Sequence, residues 1–333
     1  MSELALAAFA AETDSHLVAV PRGERFARFS RRFDERGYLA GLARRGLRWL
    51  PRSSPAFPRR LAAIFDPPPG LFLRGSAAVE LLERPSVAIV GARACSPYGA
   101  QVAHMLGREL AAAGLVVVSG LARGVDGHAH RGALESGGIT VAVLGCGIDR
   151  DYPAVHAELA RRVCERGLVV SEYPPGVEPA PWRFPARNRI VAGLVQAVVV
   201  VEARERSGAL ITADLALEEG REVFAVPGEI SSSLSAGSNR LLRSGAAALT
   251  APEDVLELFG LDPVERRETH VSAAAASVLA RLRDGPAAPD ELVRALELDA
   301  GRVAAALSEL ELAGAVAEMD GCFRALGVRR MSV

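Results

Sequence analysis

The stretch from Ser86 to Val226 alternates short apolar runs with longer amphipathic segments, and this alternation restricts the fold more than any other feature. Runs rich in β-branched residues suit buried strands, and the segments between them are long enough for helices. Strands separated by helices favour right-handed βαβ units and a parallel sheet covered on both faces. The sequence therefore predicts an α/β fold with a Rossmann-like, doubly wound, mostly parallel sheet. The predicted strands are Leu71–Arg74, Val87–Gly91, Leu115–Ser119, Thr140–Gly145, Leu168–Ser171, Ala197–Val201 and Val223–Val226.

Two smaller regions flank this Rossmann-like domain, which we expect at residues 61–260. Residues 1–60 form an arginine-rich region of short predicted helices, the last around Tyr38–Leu47, before several prolines interrupt any helix. A linker is predicted at residues 261–269. Residues 270–328 contain three helical segments and a hairpin signal at Asp320-Gly321, which together favour a winged-helix-like domain.

Charge is distributed unevenly along the chain, although the formal net charge is only -1. Residues 20–60 contain 12 arginines and three acidic residues, a local charge of +9, whereas residues 270–326 have a local charge of -4. There is no lysine, so every cationic side-chain contact would use arginine or histidine, and arginine suits bidentate phosphate recognition. The composition excludes a uniformly basic DNA-binding protein but is compatible with a local basic groove.

The four cysteines share no metal-ligand spacing and are predicted to be free thiols (Cys95, Cys146, Cys164 and Cys322). We find neither a signal-peptide pattern nor an apolar stretch approaching the roughly 20 residues of a membrane span. The sequence therefore predicts a cytoplasmic protein without a membrane partner, a metal or a cofactor.

The loops after the predicted strands carry the unusual residues of this chain. In an open parallel sheet, ligands bind outside the carboxyl ends of the strands. Gly120 and Gly124 are predicted to form a backbone nest for an anion. Ser207 and Thr212 fit anion binding and simple helix capping equally well. The candidate phosphate-binding residues of these loops are Gly91, Arg93, Ser119, Gly120, Arg123, Gly124, Ser207, Gly208 and Thr212.

Another donor-rich stretch begins at Phe184, where Arg187, Asn188 and Arg189 stand together at the predicted start of a helix. A buried packing helix has little use for two guanidinium groups and an amide side by side. A helix N-terminus offers free N–H groups to a phosphate, and arginine adds a planar fork of donors. We therefore expect these residues to face a nucleotide or nucleic-acid phosphate.

Catalytic patterns are missing from the same loops. No carboxylate pair is placed for acid–base work, and the P-loop, nucleophile-elbow and zinc-protease motifs do not occur. Asp126 has the position of a helix cap, and Cys146 has no local histidine and acid to activate it. His128 and His130 are two residues apart, so they lie on different faces of a helix and do not suggest a metal site. The pattern favours binding over catalysis.

Several motifs occur together in one order over residues 56–258. They are Phe57-Pro58-x-Arg60-Leu61, Asp66-Pro67-Pro68-Pro69, Gly91-x-Arg93, Ser119-Gly120-x-Ala122-x-Gly124-x-Asp126, Phe184-Pro185-x-Arg187-Asn188-Arg189, Ser207-Gly208-x-Leu210-x-Thr212, Val226-Pro227-Gly228 and Ser235-x-Gly237-x-Asn239. In these motifs the chain resembles the DNA-processing protein A family of bacterial natural transformation, also called Smf. The acidic tail is similar to the winged-helix appendage of that family. Residues 1–55 match it only loosely, because the Gly-Ile-Gly-Pro of many members is missing.

The resemblance implies a non-catalytic, single-stranded DNA-binding core that protects incoming DNA, forms a homodimer and helps to load the RecA recombinase. By the matching motifs, Arg93 and the glycine loop would hold phosphates, Phe184 would stack on a base, and the start of the arginine-bearing helix would complete the groove. The resemblance also implies a subunit interface near Leu241, Leu242 and Leu249, for which ordinary core packing is the alternative.

Two other functions were weighed against this one. A Rossmann-type nucleotide phosphoribohydrolase needs a Pro-Gly-Gly-x-Gly-Thr loop, and this chain has only Pro227-Gly228-Glu229. A transcription regulator would read DNA through the predicted helix Ala300–Ala313, which carries a single arginine, Arg302, beside acidic residues. We expect the acidic tail to contact protein rather than DNA.

Overall fold

The computed structural model describes residues 2–13, 23–264, 269–319, 321–325 and 331–332. The chain divides into two compact units, residues 1–263 and residues 264–333. The linker predicted at 261–269 falls across this division, and its residues 265–268 lie outside the described part of the chain. Asp320 of the predicted hairpin turn also lies outside it.

A nine-stranded sheet forms the centre of the first unit, in the order β1-β2-β6-β5-β4-β3-β7-β8-β9. Neighbouring strands from β6 to β9 in this order run parallel, whereas β2 pairs antiparallel with both β1 and β6. The predicted doubly wound, mostly parallel sheet is confirmed. Its strands are β1 (Leu47–Pro51), β2 (Gly70–Arg74), β3 (Ser86–Val90), β4 (Val116–Ser119), β5 (Thr140–Leu144), β6 (Leu168–Ser171), β7 (Ala197–Val200), β8 (Glu222–Ala225) and β9 (Ala247–Ala248).

Helices accompany the strands along the whole unit. They are α1 (Glu3–Glu12), α2 (Glu24–Arg32), α3 (Glu35–Arg44), α4 (Arg59–Ala62), α5 (Pro97–Ala112), α6 (Val125–Glu135), α7 (Ala157–Arg166), α8 (Arg183–Leu194), α9 (Gly208–Glu218), α10 (Ala236–Arg243) and α11 (Pro252–Leu258). None of the described helices is long and apolar enough to cross a membrane.

Both faces of the sheet are buried. On β3, Val87 and Ile89 pack into one apolar cluster with side chains of α5, and Ala88 and Val90 pack into another with side chains of α8 and α9. Successive side chains of a strand point to opposite faces, so a sheet covered on both sides needs apolar residues at every position. This double cover explains the continuous apolar runs of the sequence.

The N-terminal region differs from the expected set of helices. The helix predicted up to Leu47 ends at Arg44, and Gly46 turns the chain with a φ of +67°. Residues 47–51 then form β1, whose Trp49 ring packs 4.5 Å from the ring of Phe72 on β2. Helical periodicity continues into this segment, but its apolar side chains are buried by pairing with β2. The large sheet therefore begins before residue 60.

The second unit contains three helices and a hairpin, as the sequence predicts for a winged-helix-like domain. Val278, Leu292 and Leu310, one from each helix, meet in its core together with Phe323 of the hairpin. Its elements are β10 (Thr269–His270), α12 (Ala273–Arg283), α13 (Pro289–Leu296), α14 (Ala300–Leu312), β11 (Val316–Met319), β12 (Cys322–Ala325) and β13 (Met331–Ser332).

The strand order reverses beside β3, which has β4 on one side and β7 on the other. Such a reversal opens a crevice at the carboxyl ends of the strands, where α/β proteins bind their ligands. Helix α8 connects β6 to β7 and packs on one face of the sheet with side chains of the intervening strands β5, β4 and β3. Its first two turns carry the donor-rich residues, of which Arg187 and Asn188 line the cavity at the crevice.

Candidate nucleic-acid interface

A small cavity of about 190 Å³ lies at the crevice beside β3. Eight of the sequence-predicted phosphate residues line it, and they come from four separate segments of the chain. They are Gly91, Arg93, Gly120, Arg187, Asn188, Ser207, Gly208 and Thr212. The strand-end loops thus meet at one point, as the parallel sheet requires.

An arginine and two aromatic rings form an open platform at this cavity. Arg93 is exposed, and its guanidinium carbon lies over the ring of Phe184, 5.0 Å from the ring centroid. The other neighbour of Phe184 is Tyr152, whose ring is stacked at 5.3 Å with an interplanar angle of 26°. Tyr152 is 40% exposed, so the platform is reachable from solvent. A positive charge therefore lies beside flat apolar surface, an arrangement that suits a nucleotide.

Arg187 holds the floor of the cavity together. It is almost fully buried and donates hydrogen bonds to the carbonyl oxygens of Gly120, at 2.8 Å, and Val143. Burial lowers the pKa of Arg187, while the nearby carboxyl of Asp126 raises it. The guanidinium joins the ends of β4 and β5 and brings positive charge to the cavity. Any side chain at position 120 would collide with this guanidinium, which explains the glycine.

Asp126 occupies the glycine nest that was expected to hold an external anion. Its carboxylate accepts hydrogen bonds from the backbone N–H groups of Gly120, at 3.0 Å, and Ala122, at 3.3 Å. Burial raises the pKa of Asp126, and the charge of Arg187 opposes that rise. Gly124 precedes α6 with a φ of +72°, a conformation that favours glycine. The N–H groups of Gly120 and Ala122 are therefore engaged by a carboxylate of the chain itself, so anion binding by Gly120 and Gly124 stays a prediction that this contact disfavours.

Arg189 also differs from its predicted role. It is buried, donates two hydrogen bonds to Glu172 at 2.8 and 2.7 Å, and donates another to Asp66 at 2.8 Å. The carboxylates of Glu172 and Asp66 raise the pKa of Arg189 against the effect of burial. The helix begins at Arg183, so Arg189 lies in its second turn and faces the protein interior. Its guanidinium is therefore engaged by Glu172 and Asp66 inside the protein, so its contact with a phosphate stays a prediction that these contacts disfavour.

The remaining predicted residues support the loops or lie outside the cavity. Ser119 is buried and donates to the carbonyl oxygen of Ile89 at 2.7 Å, so it is a structural residue rather than a phosphate ligand. Asn188 donates to the carbonyl oxygen of Gly208 at 3.1 Å and ties α8 to the start of α9. Ser207 caps α9 by accepting from the Ala209 N–H at 3.3 Å. Arg123 is exposed on the nest loop.

The leucines expected at a subunit interface pack mainly inside their own chain. Leu241 and Leu249 are 7% and 3% exposed and belong to the two apolar clusters that cover the sheet. Leu242 is partly exposed but packs against the same core as Leu241. Core packing therefore describes Leu241 and Leu249 within one chain, and their place at a subunit interface stays a prediction.

Comparison with known proteins decides the relationship of the chain. The sequence profile of the DNA recombination-mediator protein A family matches residues 48–260, and that of the DprA winged helix domain matches residues 243–321. The chain belongs to the DNA recombination-mediator protein A family. Protein Smf of Escherichia coli is 39% identical over 328 residues, which cover 94% of this chain and 87% of the relative. The resemblance inferred from the sequence motifs is confirmed.

Solved structures of the family agree with the fold. The DNA processing protein A of Streptococcus pneumoniae matches with a TM-score of 0.66 and 38% identity over 76% of this chain and 91% of that one. The protein of Helicobacter pylori, described for its single-stranded DNA binding mode, matches with a TM-score of 0.56 and 33% identity over 61% of this chain and 92% of that one.

Sequence reasoning missed two aromatic contributors to this surface. Tyr152 follows β5 and supports Phe184, and its position after a strand end was the signal that could have identified it. Trp182 lies just before α8, with the guanidinium carbon of Arg183 5.0 Å from its ring centroid and 5.2 Å from that of Tyr173. The family motif begins at Phe184, whereas Tyr152 and Trp182 precede that motif in the sequence.

Proposed function

We propose that this member of the family binds single-stranded DNA at the platform formed by Arg93, Phe184 and Tyr152. The observation that carries the proposal is that Arg93, which lines the cavity, places its guanidinium carbon 5.0 Å from the ring centroid of Phe184. Stacking on an aromatic ring accepts every base, and arginine neutralises the backbone phosphates. The described binding mode of the Helicobacter pylori relative supports the same ligand.

Binding without strand cleavage is the second part of the proposal. Three buried carboxylates at the strand ends are engaged in hydrogen bonds: Asp126 with backbone N–H groups, Glu172 with Arg189, and Glu202 with the N–H of Ser96 at 2.9 Å. Burial also raises the pKa of the Cys146 thiol to about 11, which disfavours the nucleophilic thiolate. We expect an end-labelled strand to stay intact, and nucleoside monophosphates to keep their bases. Release of a base would favour a phosphoribohydrolase instead.

We also propose that this chain protects incoming DNA and helps to load RecA, that it acts in the cytoplasm and that its working form is a homodimer; membership of the family supports these proposals. Light scattering at micromolar concentration should detect twice the 35.1 kDa of one chain. A purely monomeric protein would contradict the proposed dimer.

Loading of RecA has its own test. Faster nucleation of RecA filaments on strands covered by single-strand binding protein would support the loading proposal.

A gel-shift series with single-stranded and double-stranded oligonucleotides at two salt concentrations tests the DNA ligand. Arg93→Ala should weaken single-strand binding by on the order of 1–3 kcal/mol, the range for hydrogen bonds to charged groups. It should also flatten the dependence of affinity on salt. Arg240→Ala, which removes an exposed arginine from α10, is the matched control. Unchanged affinity and salt dependence in Arg93→Ala would overturn the proposed site.

A further inference from the structure

The arginine-rich N-terminal helices carry a row of aromatic rings that the strand-end cavity does not include. Phe9 of α1 lies 5.3 Å from Phe29 of α2, and Phe29 lies 5.5 Å from Phe33 at an interplanar angle of 29°. Phe33 in turn lies 5.3 Å from Tyr38 of α3, measured between ring centroids. Phe29, Phe33 and Tyr38 are only half-buried, so the row has an accessible side.

Two adjoining grooves run along this row. The first, of about 590 Å³, lies between the rings and the arginines of α2. The second, of about 700 Å³, shares Phe29, Phe33 and Tyr38 with the first and extends over residues 174–180 to Arg183. Arg183 directly precedes Phe184, and both are in the first turn of α8. The grooves therefore lead from α2 to the helix turn that carries the platform.

The first groove is positively charged. Arg25, Arg28 and Arg32 are spaced three and four residues apart, so they lie on one side of α2. All three are exposed, and none has an ion-pair partner among the residues that the structure describes. Asp34, which lines the same groove, already accepts a hydrogen bond from the Gly37 N–H at 3.0 Å. The arginines are therefore available for an anionic ligand.

The second groove is lined mainly by apolar side chains, and one of its two carboxylates is neutralised by an ion pair. Glu178 forms an ion pair with Arg150 at 2.6 Å, and Glu12 lies in the lining as well. The second groove consequently offers mainly rings and prolines, whereas the first offers charge. A ligand that fits both needs a negatively charged backbone and flat apolar groups.

We propose that the two grooves, which we name the N-terminal groove, form a second contact site for single-stranded DNA that continues from the Arg93–Phe184 platform. A single strand has the required chemistry, because its phosphates suit the arginines of α2 and its unpaired bases can stack on Phe29, Phe33 and Tyr38. A duplex keeps its base faces covered. An acidic protein segment could form ion pairs with the arginines, but its carboxylates could not stack on the row of aromatic rings. This inference rests on the proposed function, since it extends the path of the same ligand.

The test compares Arg25→Ala/Arg28→Ala with Arg240→Ala/Arg243→Ala. Both double variants remove two exposed arginines, and the second pair lies on α10, which follows β8 towards the opposite edge of the sheet from β1. Loss of two phosphate contacts on a long strand should make the negative slope of log affinity against log salt shallower by about 1.4, at roughly 0.7 for each contact. Oligonucleotides of about 6 bases, near the lower limit of typical single-strand sites, should bind the platform normally. The α10 variant should keep the long-strand slope.

A second variant, Phe33→Leu, keeps an apolar side chain and removes a ring. We expect this variant to bind long strands more weakly than the wild type. In the wild type, a strand that contains halogenated uracil should photocrosslink to Phe33 or Tyr38. Thermal unfolding followed by circular dichroism establishes that each variant is folded. An unchanged long-strand affinity and salt slope in Arg25→Ala/Arg28→Ala would overturn the inference. Polyglutamate serves as a probe for an acidic protein segment. If Arg25→Ala/Arg28→Ala lost affinity for polyglutamate but not for long strands, the groove would be a protein-contact surface, and the inference would again be overturned.

The two proposals fail in different ways. A wild-type protein that binds neither short nor long single strands contradicts the proposed function, and this inference fails with it. In the other case, Arg93→Ala no longer binds short strands, but Arg25→Ala/Arg28→Ala binds long strands as tightly as the wild type does. That result would support the platform and refute the N-terminal groove.

Discussion

Arg189 and Glu172 form a buried ion pair with two hydrogen bonds, of 2.8 and 2.7 Å, at the carboxyl end of β6. Asp66, from the turn before β2, accepts a third hydrogen bond from Arg189 at 2.8 Å. The pair therefore joins α8 to two segments that are distant in the sequence. Because α8 also supplies Phe184 and Arg187, the ion pair determines how the platform and the cavity floor are positioned.

Removing one partner of this pair should destabilise the fold. Glu172→Ala leaves the Arg189 guanidinium buried with only part of its charge compensated, and breaking a buried pair in this way costs about 3–5 kcal/mol. Urea unfolding should show a lower midpoint for this variant. The control is Arg161→Ala, which removes an exposed pair with Glu158, and we expect no measurable shift of its midpoint. Equal midpoints for Glu172→Ala and the wild type would contradict the structural role.

Replacing the platform ring should weaken DNA binding without unfolding the protein. Phe184→Leu keeps apolar bulk but removes the ring that contacts Arg93 and Tyr152. Stacking of one base on an aromatic ring is worth about 1–3 kcal/mol, so affinity for single strands should fall by that amount. Phe184→Tyr retains the ring and should bind nearly as well as the wild type. Fluorescence anisotropy with labelled strands measures both, and equal losses in the two variants would argue against stacking.

Acid should destabilise the protein through His130. Its Nδ1 lies 2.7 Å from Oγ1 of Thr140, whose hydroxyl donates to the carbonyl oxygen of Val117 at 2.6 Å. The Thr140 oxygen therefore accepts from the Nδ1–H of a neutral ring. Burial lowers the pKa of His130 to about 3, and the charges of His156, Arg187 and Arg131 act in the same direction.

The sign of the resulting pH dependence follows from proton binding. Between pH 6.5 and about 3 the unfolded chain binds a proton at His130 that the folded chain does not. The stability contributed by the neutral ring is therefore complete above pH 6.5 and is lost on acidification, by about 1.4 kcal/mol for each pH unit. The free energy of unfolding of His130→Asn should fall less steeply than that of the wild type over this range. Identical slopes would contradict the assignment.

The second unit should be dispensable for binding single strands. Its residues 270–326 carry a net charge of -4, which repels phosphates, and phosphate neutralisation supplies most non-specific affinity. Residues 1–263 are compact by themselves, so a chain ending at Gly260 should fold and bind about as tightly as the whole protein. Equilibrium titrations of the two proteins test this. A loss of more than tenfold, or about 1.4 kcal/mol, would assign part of the DNA site to the tail.

The sequence alone determined the order of the strands from β2 to β8, with the helices between them, and the edge at which the candidate site lies. Predicted strands such as Leu168–Ser171 match the structure because apolar runs that are buried on both faces leave little choice of period or length. The loops bearing Arg93, Gly120 and Ser207 meet at one cavity because parallel strands bring their carboxyl ends to the same edge. Local chemistry and topology were sufficient for these conclusions.

Only the tertiary structure decided which donors of that edge face outward. Arg187 and Arg189 are equally attractive phosphate ligands in the sequence, but α8 turns both inward. There Arg187 meets the carbonyl oxygen of Gly120, and Arg189 meets Glu172 and Asp66. A buried guanidinium needs carboxylates or carbonyl oxygens around it, and those groups come from segments far away in the chain. The partners of a buried charge are set by long-range packing, which a local pattern of residues does not encode.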